Sequence, residues 1–277
     1  MKLENILVPV DFSLCSKNAL KVAIDLAKKT GAKIHMINAV FLHAPHPDIS
    51  GGGLIHTILS DYENQVKESF DELKSELIEL KEVPNETEQF IAALVDAIFS
   101  ATQKHDIDLI VMGTRSEHTK IEHFLGSHTT DVIQAAKVPV LVIPEDTISF
   151  HPSKIGLATD FETMNMKNLK IIQLFAQLYG TDIIAFHITE DIKNISMKAQ
   201  KSMKEIHSYF EGYDLSVRTV ESNEVVKGIQ QFTISHKLDI LVTMPKEHSF
   251  IDKLFRSSVT KKIALDLEVP LLTIQQF

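Results

Sequence analysis

From Val111 to Thr129 the chain reads Val-Met-Gly-Thr-Arg-Ser-Glu-His-Thr-Lys-Ile-Glu-His-Phe-Leu-Gly-Ser-His-Thr. An apolar run stops at Gly113, a polar loop follows, and Gly126-Ser127 opens a segment of helical period. Such an arrangement can hold phosphate. Glycines let the backbone approach a ligand, and the free amides and positive dipole of a helix N-terminus attract an anion. The hydroxyls of Ser127 and Thr129 add donors for phosphate oxygens. A strand turn and a helix cap ask for the same glycines, so the pattern by itself leaves a purely structural role open. Histidine supplies a second chemistry. His43, His46, Asp48 and His56 lie on one glycine- and proline-rich stretch, and His118, His123 and His128 lie along the Gly113–Thr129 loop. Imidazole and carboxylate are zinc ligands, which makes His43, His46 and His56 candidates, although no tight ligand pair falls on one helix. There is no nucleophile elbow, Walker lysine, paired catalytic carboxylate or cysteine zinc knuckle, and no residue is assigned a catalytic role.

The elements that must position these residues occur twice. Val10-Asp11-Phe12 returns as Thr159-Asp160-Phe161, and Leu26 to Gly31 as Phe175 to Gly180, at an offset of 149. Asp108 to Met112 returns as Asp239 to Thr243, and Val138 to Leu141 as Val269 to Leu272, at an offset of 131. A unit this long is a duplicated domain rather than a solenoid repeat. The fall in offset means that the first copy carries 18 additional residues between Ala39 and Asp108. Both copies alternate short β-branched runs with helical-period segments, the pattern of a parallel sheet covered by helices. The first copy predicts strands at 5–10, 33–40, 85–90, 108–113 and 139–144, with helices at 16–31, 54–80, 91–105 and 127–137. Ser16 is the expected cap of the first helix and Gly31 its left-handed end. The second copy predicts strands at 154–158, 182–188, 214–220, 239–244 and 270–274. Residues 1–145 and 153–277 are thus expected as two α/β domains, each a five-stranded parallel sheet of order 3-2-1-4-5, joined through the polar stretch Pro144–Pro152. The extra segment Leu42–Gly53 leaves the carboxyl end of the second strand, where open parallel sheets bind ligands; a flap over the pocket, a surface tongue and a dimer contact are all open to it.

Composition narrows the partners. The 277 residues carry 28 basic and 37 acidic side chains for a formal charge of −9, and no Lys/Arg block that could track a nucleic-acid backbone. Cys15 is the only cysteine, so a reducing compartment and a small buried side chain are the simplest expectation. The run Ile6–Val10 is too short for a signal or a membrane span, and a cytoplasmic protein is expected.

Ile6-Leu7-Val8-Pro9-Val10-Asp11-Phe12-Ser13, Asp108 to Gly113 and Val138-Pro139-Val140-Leu141-Val142-Ile143-Pro144 together resemble the universal stress protein family, in its order and at its spacing, over both copies. The resemblance implies two flavodoxin-like domains packed as an internal pseudo-dimer through their last strands, with which a further homodimer is compatible. Nucleotide-binding members carry Gly, two residues, Gly, nine residues, then Gly with Ser or Thr. Gly113 fits the first position and Gly126-Ser127 the last; Ser116 replaces the middle glycine and puts a side chain where close backbone approach is wanted. The resemblance implies ATP or a related adenine nucleotide, with or without magnesium, held by Pro9, Val10 and Asp11 at the first strand, by Ala39 at the adenine edge, and by Met112, Gly113, Arg115, Ser116, Gly126, Ser127 and Thr129 around the phosphates. For Asp11 an ordinary strand-end cap is the competing role. The second copy has Met244-Pro245 in place of Gly113 and Ser257-Ser258 in place of Gly126-Ser127, and no glycine from Pro245 to Thr260, so phosphate binding is not expected there. A stress sensor that binds nucleotide, an interaction module that binds none, and a slow ATP hydrolase are the three readings this leaves.

Overall fold

The structure is a computed structural model, and it describes residues 1–41, 52–114, 127–147, 149–161, 165–244 and 269–275, the side chains of 52–58, 127 and 194 aside. The segment 42–51, which holds His43, His46 and most of the stretch Leu42–Gly53, lies outside the described residues, as do Arg115, Ser116 and Gly126. Two compact units are present, Lys2–Met112 and Gly113–Phe277.

In the first unit, strand β1 (Asn5–Pro9) leads into helix α1 (Leu14–Thr30), then β2 (Lys33–Val40), α2 (Gly52–Glu76), a 3-10 turn at Ile78–Glu82, β3 (Asn85–Ile91), α3 (Leu94–Lys104) and β4 (Leu109–Thr114). The order is β3-β2-β1-β4, with β1 parallel to both β2 and β4. Apolar runs explain the strands: Ile6, Leu7, Val8, Leu109, Ile110 and Val111 have no exposed surface. Helix α1 buries Leu20, Ala23, Ile24 and Ala27 on one stripe, the periodicity its sequence carries. Its end is as expected, with Gly31 at φ 77°, a conformation that costs glycine little. Its start is not. Ser13, rather than Ser16, is the N-cap and accepts from the Ser16 amide, while the Ser16 hydroxyl donates back to the Ser13 carbonyl. Three residues separate the two serines, the N-cap to N3 spacing, so the earlier one takes the free amide of the later.

The second unit continues with α4 (Ser127–Ala135), β5 (Val140–Pro144), β6 (Lys154–Ala158), α5 (Lys170–Tyr179), β7 (Asp182–Thr189), α6 (Met197–Tyr209), β8 (Leu215–Glu221), α7 (Val225–His236), β9 (Ile240–Thr243) and β10 (Leu271–Thr273). Its strands run β5-β10-β9-β6-β7-β8. Read from β8 to β10 this is the order 3-2-1-4-5, all parallel, that the second copy predicts. Strand β10 also pairs antiparallel with β5, Leu272 opposite Leu141 and Thr273 opposite Val140, so the last strands of the two copies form one ladder.

Several devices recur at the offsets of the repeat. Asp108 Oδ2 accepts from the amides of Glu4 (2.8 Å) and Asn5 (3.0 Å), and Asp239 Oδ2 accepts from Ser153 (2.8 Å) and Lys154 (2.9 Å). In each copy an aspartate before the fourth strand ties down the start of the first. Gly180 ends α5 at φ 65°, as Gly31 ends α1.

Candidate functional site

The polypeptide leaves β1 through a turn that both copies build in the same way. Phe12 and Phe161 stand at φ 63° and 58°, a left-handed conformation that is rare for a bulky residue and persists where the surroundings hold it. Phe12 is held by an edge-to-face contact with Phe70, with centroids 5.1 Å apart, and Phe161 is wholly buried. In the first copy Asp11 is exposed, and its Oδ1 accepts from the amide and hydroxyl of Ser13, the residue that caps α1. Asp11 thus makes the local hydrogen bonds of a strand-end cap.

Behind this turn lies a buried polar link. The Val10 amide donates to the Ile37 carbonyl (2.8 Å), and the Asn38 amide nitrogen donates to the Val10 carbonyl (2.8 Å). The Tyr62 hydroxyl donates in turn to Asn38 Oδ1 (2.9 Å), and burial pushes the Tyr62 phenol above its ordinary pKa. His187, the counterpart of Asn38, donates from Nδ1 to the Thr159 carbonyl (3.0 Å). A side chain from the second strand thus satisfies the carbonyl that the turn would orphan, and it also fixes the carboxyl edge where Pro9, Val10, Asp11 and Ala39 lie. Ala39 pairs with Phe90 of β3, and Met112 is buried near the end of β4. In an open parallel sheet the crevice beyond these strand ends, where successive connections leave in opposite directions, is the usual ligand position.

Gly113 and Thr114 close β4, and Ser127 is the first residue of α4, which carries Thr129 buried in its first turn. The strand end and helix start of the phosphate-type motif are therefore present, while its Arg115, Ser116 and Gly126 are outside the described residues. An open concavity of about 450 Å3 lies on the second copy, lined among others by Arg218, Glu221, Gln231, Phe232 and His236, and by no residue of the motif.

Another constellation was not anticipated from the sequence. His35 on β2, Glu86 on β3 and His105 just after α3 converge among the described residues, their ligand atoms all within 4.8 Å of one another. The parallel register explains it, since His35 lies opposite Glu86 across β2 and β3. Positions 35, 86 and 105 share no spacing that a sequence pattern would reveal.

A family comparison can be set beside this geometry. The model of the universal stress protein family matches residues 2–144, just over half of the chain. The chain belongs to the universal stress protein family. A universal stress protein of Thermus aquaticus is 30% identical over 141 residues, which cover 50% of this chain and 98% of that protein. Universal stress protein A of Escherichia coli is 28% identical over 149 residues, covering 52% of this chain and 96% of its own. Across the full length, the crystal structure of a universal stress protein from Archaeoglobus fulgidus superposes with a TM-score of 0.74 at 19% identity, covering 98% of this chain and 96% of that one. At that identity the likeness is one of fold. Among the described residues no helix is long and apolar enough to cross a membrane.

Proposed function

We propose that the first copy of this universal stress protein binds ATP or a related adenine nucleotide and acts in stress adaptation as a ligand-responsive regulator. The observation that carries the reading is the motif Gly113 to Gly126-Ser127 at the family's spacing, with its first glycine in the last residues of β4 and its serine opening α4. On this reading Pro9, Val10, Asp11 and Ala39 contact the nucleoside. Met112 and Gly113, with Arg115, Ser116, Gly126, Ser127 and Thr129, surround the phosphates, with magnesium as the natural counter-ion. The second copy, which has lost these glycines, serves as a packing partner, and residues 1–145 and 153–277 are the two domains. The antiparallel β5–β10 ladder supports an internal pseudo-dimer of the copies.

A second reading, an interaction module without nucleotide, draws on one observation, the serine at position 116 where nucleotide-binding relatives place glycine. Purified protein separates the two: denaturation should release an adenine nucleotide, detectable by chromatography, or the protein should take one up when incubated with ATP. Neither release nor uptake favours the module.

A further inference from the structure

The cluster near the amino ends of the strands has an electrostatic arrangement that calls for a cation. His35 is buried, its Nδ1 lies 2.7 Å from Glu86 Oε1, and its Nε2 lies 3.0 Å from Asn5 Oδ1. Asn5 Nδ2 faces the Asp106 carbonyl at 3.5 Å, which turns the amide oxygen towards the ring. His105 faces acceptors on both sides as well, with Nδ1 3.3 Å from Glu86 Oε1 and Nε2 3.0 Å from Glu88 Oε2. A neutral imidazole has one N–H. With the protons on the two Nε2 atoms, both Nδ1 lone pairs point at the same carboxylate oxygen.

We propose that His35 Nδ1, His105 Nδ1 and Glu86 Oε1 form a binding site for one zinc-class divalent cation. Two imidazoles and a carboxylate are a known zinc donor set, which leaves a fourth position for water. Bonds of about 2.0–2.1 Å at tetrahedral angles place ligand atoms roughly 3.3 Å apart. The His105–Glu86 contact already has that spacing, Glu86 must withdraw from His35 by about half an ångström, and the two histidine ligand atoms, within 4.8 Å of one another, must settle to the same spacing. The outer shell is in place too: Asn5 Oδ1 and Glu88 Oε2 take the Nε2 protons, the partners that fix tautomer and ring orientation in metal sites. Lys33 holds the other oxygen of Glu86, leaving Oε1 to the ion, and Lys104 holds the other oxygen of Glu88. The charge states agree. Lys33 above all keeps the Glu86 carboxyl below its ordinary pKa, and burial pushes the His35 imidazole below its own, directions compatible with a carboxylate and a neutral ring as ligands. His105 retains some exposure and gives the ion its way in.

The test uses the full chain stripped of metal with a chelator and titrated with Co2+, whose visible absorption reports a four-coordinate nitrogen and oxygen site, and then with Zn2+ in competition. Wild type should bind one equivalent at this site. His105→Asn and Glu86→Gln, with folding checked by circular dichroism, should bind at least tenfold more weakly. Glu88→Gln should weaken binding by roughly 10 to 100-fold through loss of the ring's outer partner. Replacing both His43 and His46 by alanine should leave binding unchanged. No saturable absorption in wild type, or the same absorption in His105→Asn and Glu86→Gln, overturns the site. So does a wild type that binds no metal while both histidines titrate normally by NMR, which would show the cation to be a proton. Should Glu86→Gln not fold, His105→Asn decides alone.

Discussion

Asn38 shows how much one polar side chain can carry. It is 6% exposed and is bonded at both ends, to the Val10 carbonyl and the Tyr62 hydroxyl, so its neighbours become unsatisfied when it is lost. Tyr62→Phe removes one neutral hydrogen bond and should lower unfolding free energy by about 1 kcal/mol. Asn38→Ala strands both the Val10 carbonyl and the phenol, and should cost about 2–4 kcal/mol. Urea titration of both variants checks the order. An Asn38 variant no worse than the Tyr62 variant would contradict the link. This network was only partly visible beforehand. The chain shows an asparagine late in an apolar strand, but its partners come from positions 10 and 62, and only the folded register brings them to it. The same holds for His35, Glu86 and His105, which three separate elements supply. The cap of α1 was misplaced for a more local reason, because Ser13 and Ser16 both satisfy the residue preference and only backbone geometry decides between them.

At the scale of elements, the strands were the most legible feature. Parallel strands covered on both faces must be apolar on both, so β1, β4, β5 and β9 appear as Val/Ile/Leu-rich runs, whereas the end strands β3 and β8 are half-buried and largely polar; every predicted strand is present within two residues of its expected ends. Close packing of β6 makes a sharp prediction. A Cβ at Gly156 would lie 2.2 Å from Leu238 Cδ1 and 3.2 Å from the Phe186 ring, and Leu238 is itself buried. Gly156→Ala should therefore destabilise by about 1–3 kcal/mol through overpacking, although alanine normally suits a strand better than glycine. A thermal melt at or above that of wild type would show that Leu238 has room to move. The β5–β10 ladder can be tested separately. Leu141 and Leu272 are directly opposed and buried, so a double-mutant cycle to alanine should give a coupling of about 0.5–1 kcal/mol. Strict additivity would mean that the cross-strand contact contributes nothing.

At the scale of the whole molecule, duplication followed by divergence organises the account. Both copies keep the aspartate clamp, the glycine helix end, the left-handed phenylalanine and the side chain that satisfies the carbonyl just after the first strand, all of which serve folding. The glycines at 113 and 126 have no counterpart in copy two, where methionine and serine stand instead. The clamp stands in both copies and serves folding, whereas the two glycines stand in the first alone, the copy to which nucleotide binding is proposed. Sequence carries this contrast fully, since it is a matter of residue identity at matched offsets.

The most direct test of nucleotide binding confined to the first copy is titration calorimetry with ATP and magnesium on the full chain. Wild type should bind one nucleotide, and Gly126→Val, which sets a branched side chain against the phosphates, should abolish the heat. Ser257→Val at the matching position of the second copy should change nothing, and Ser116→Gly should tighten binding. No heat from wild type, or equal losses from Gly126→Val and Ser257→Val, would contradict the account.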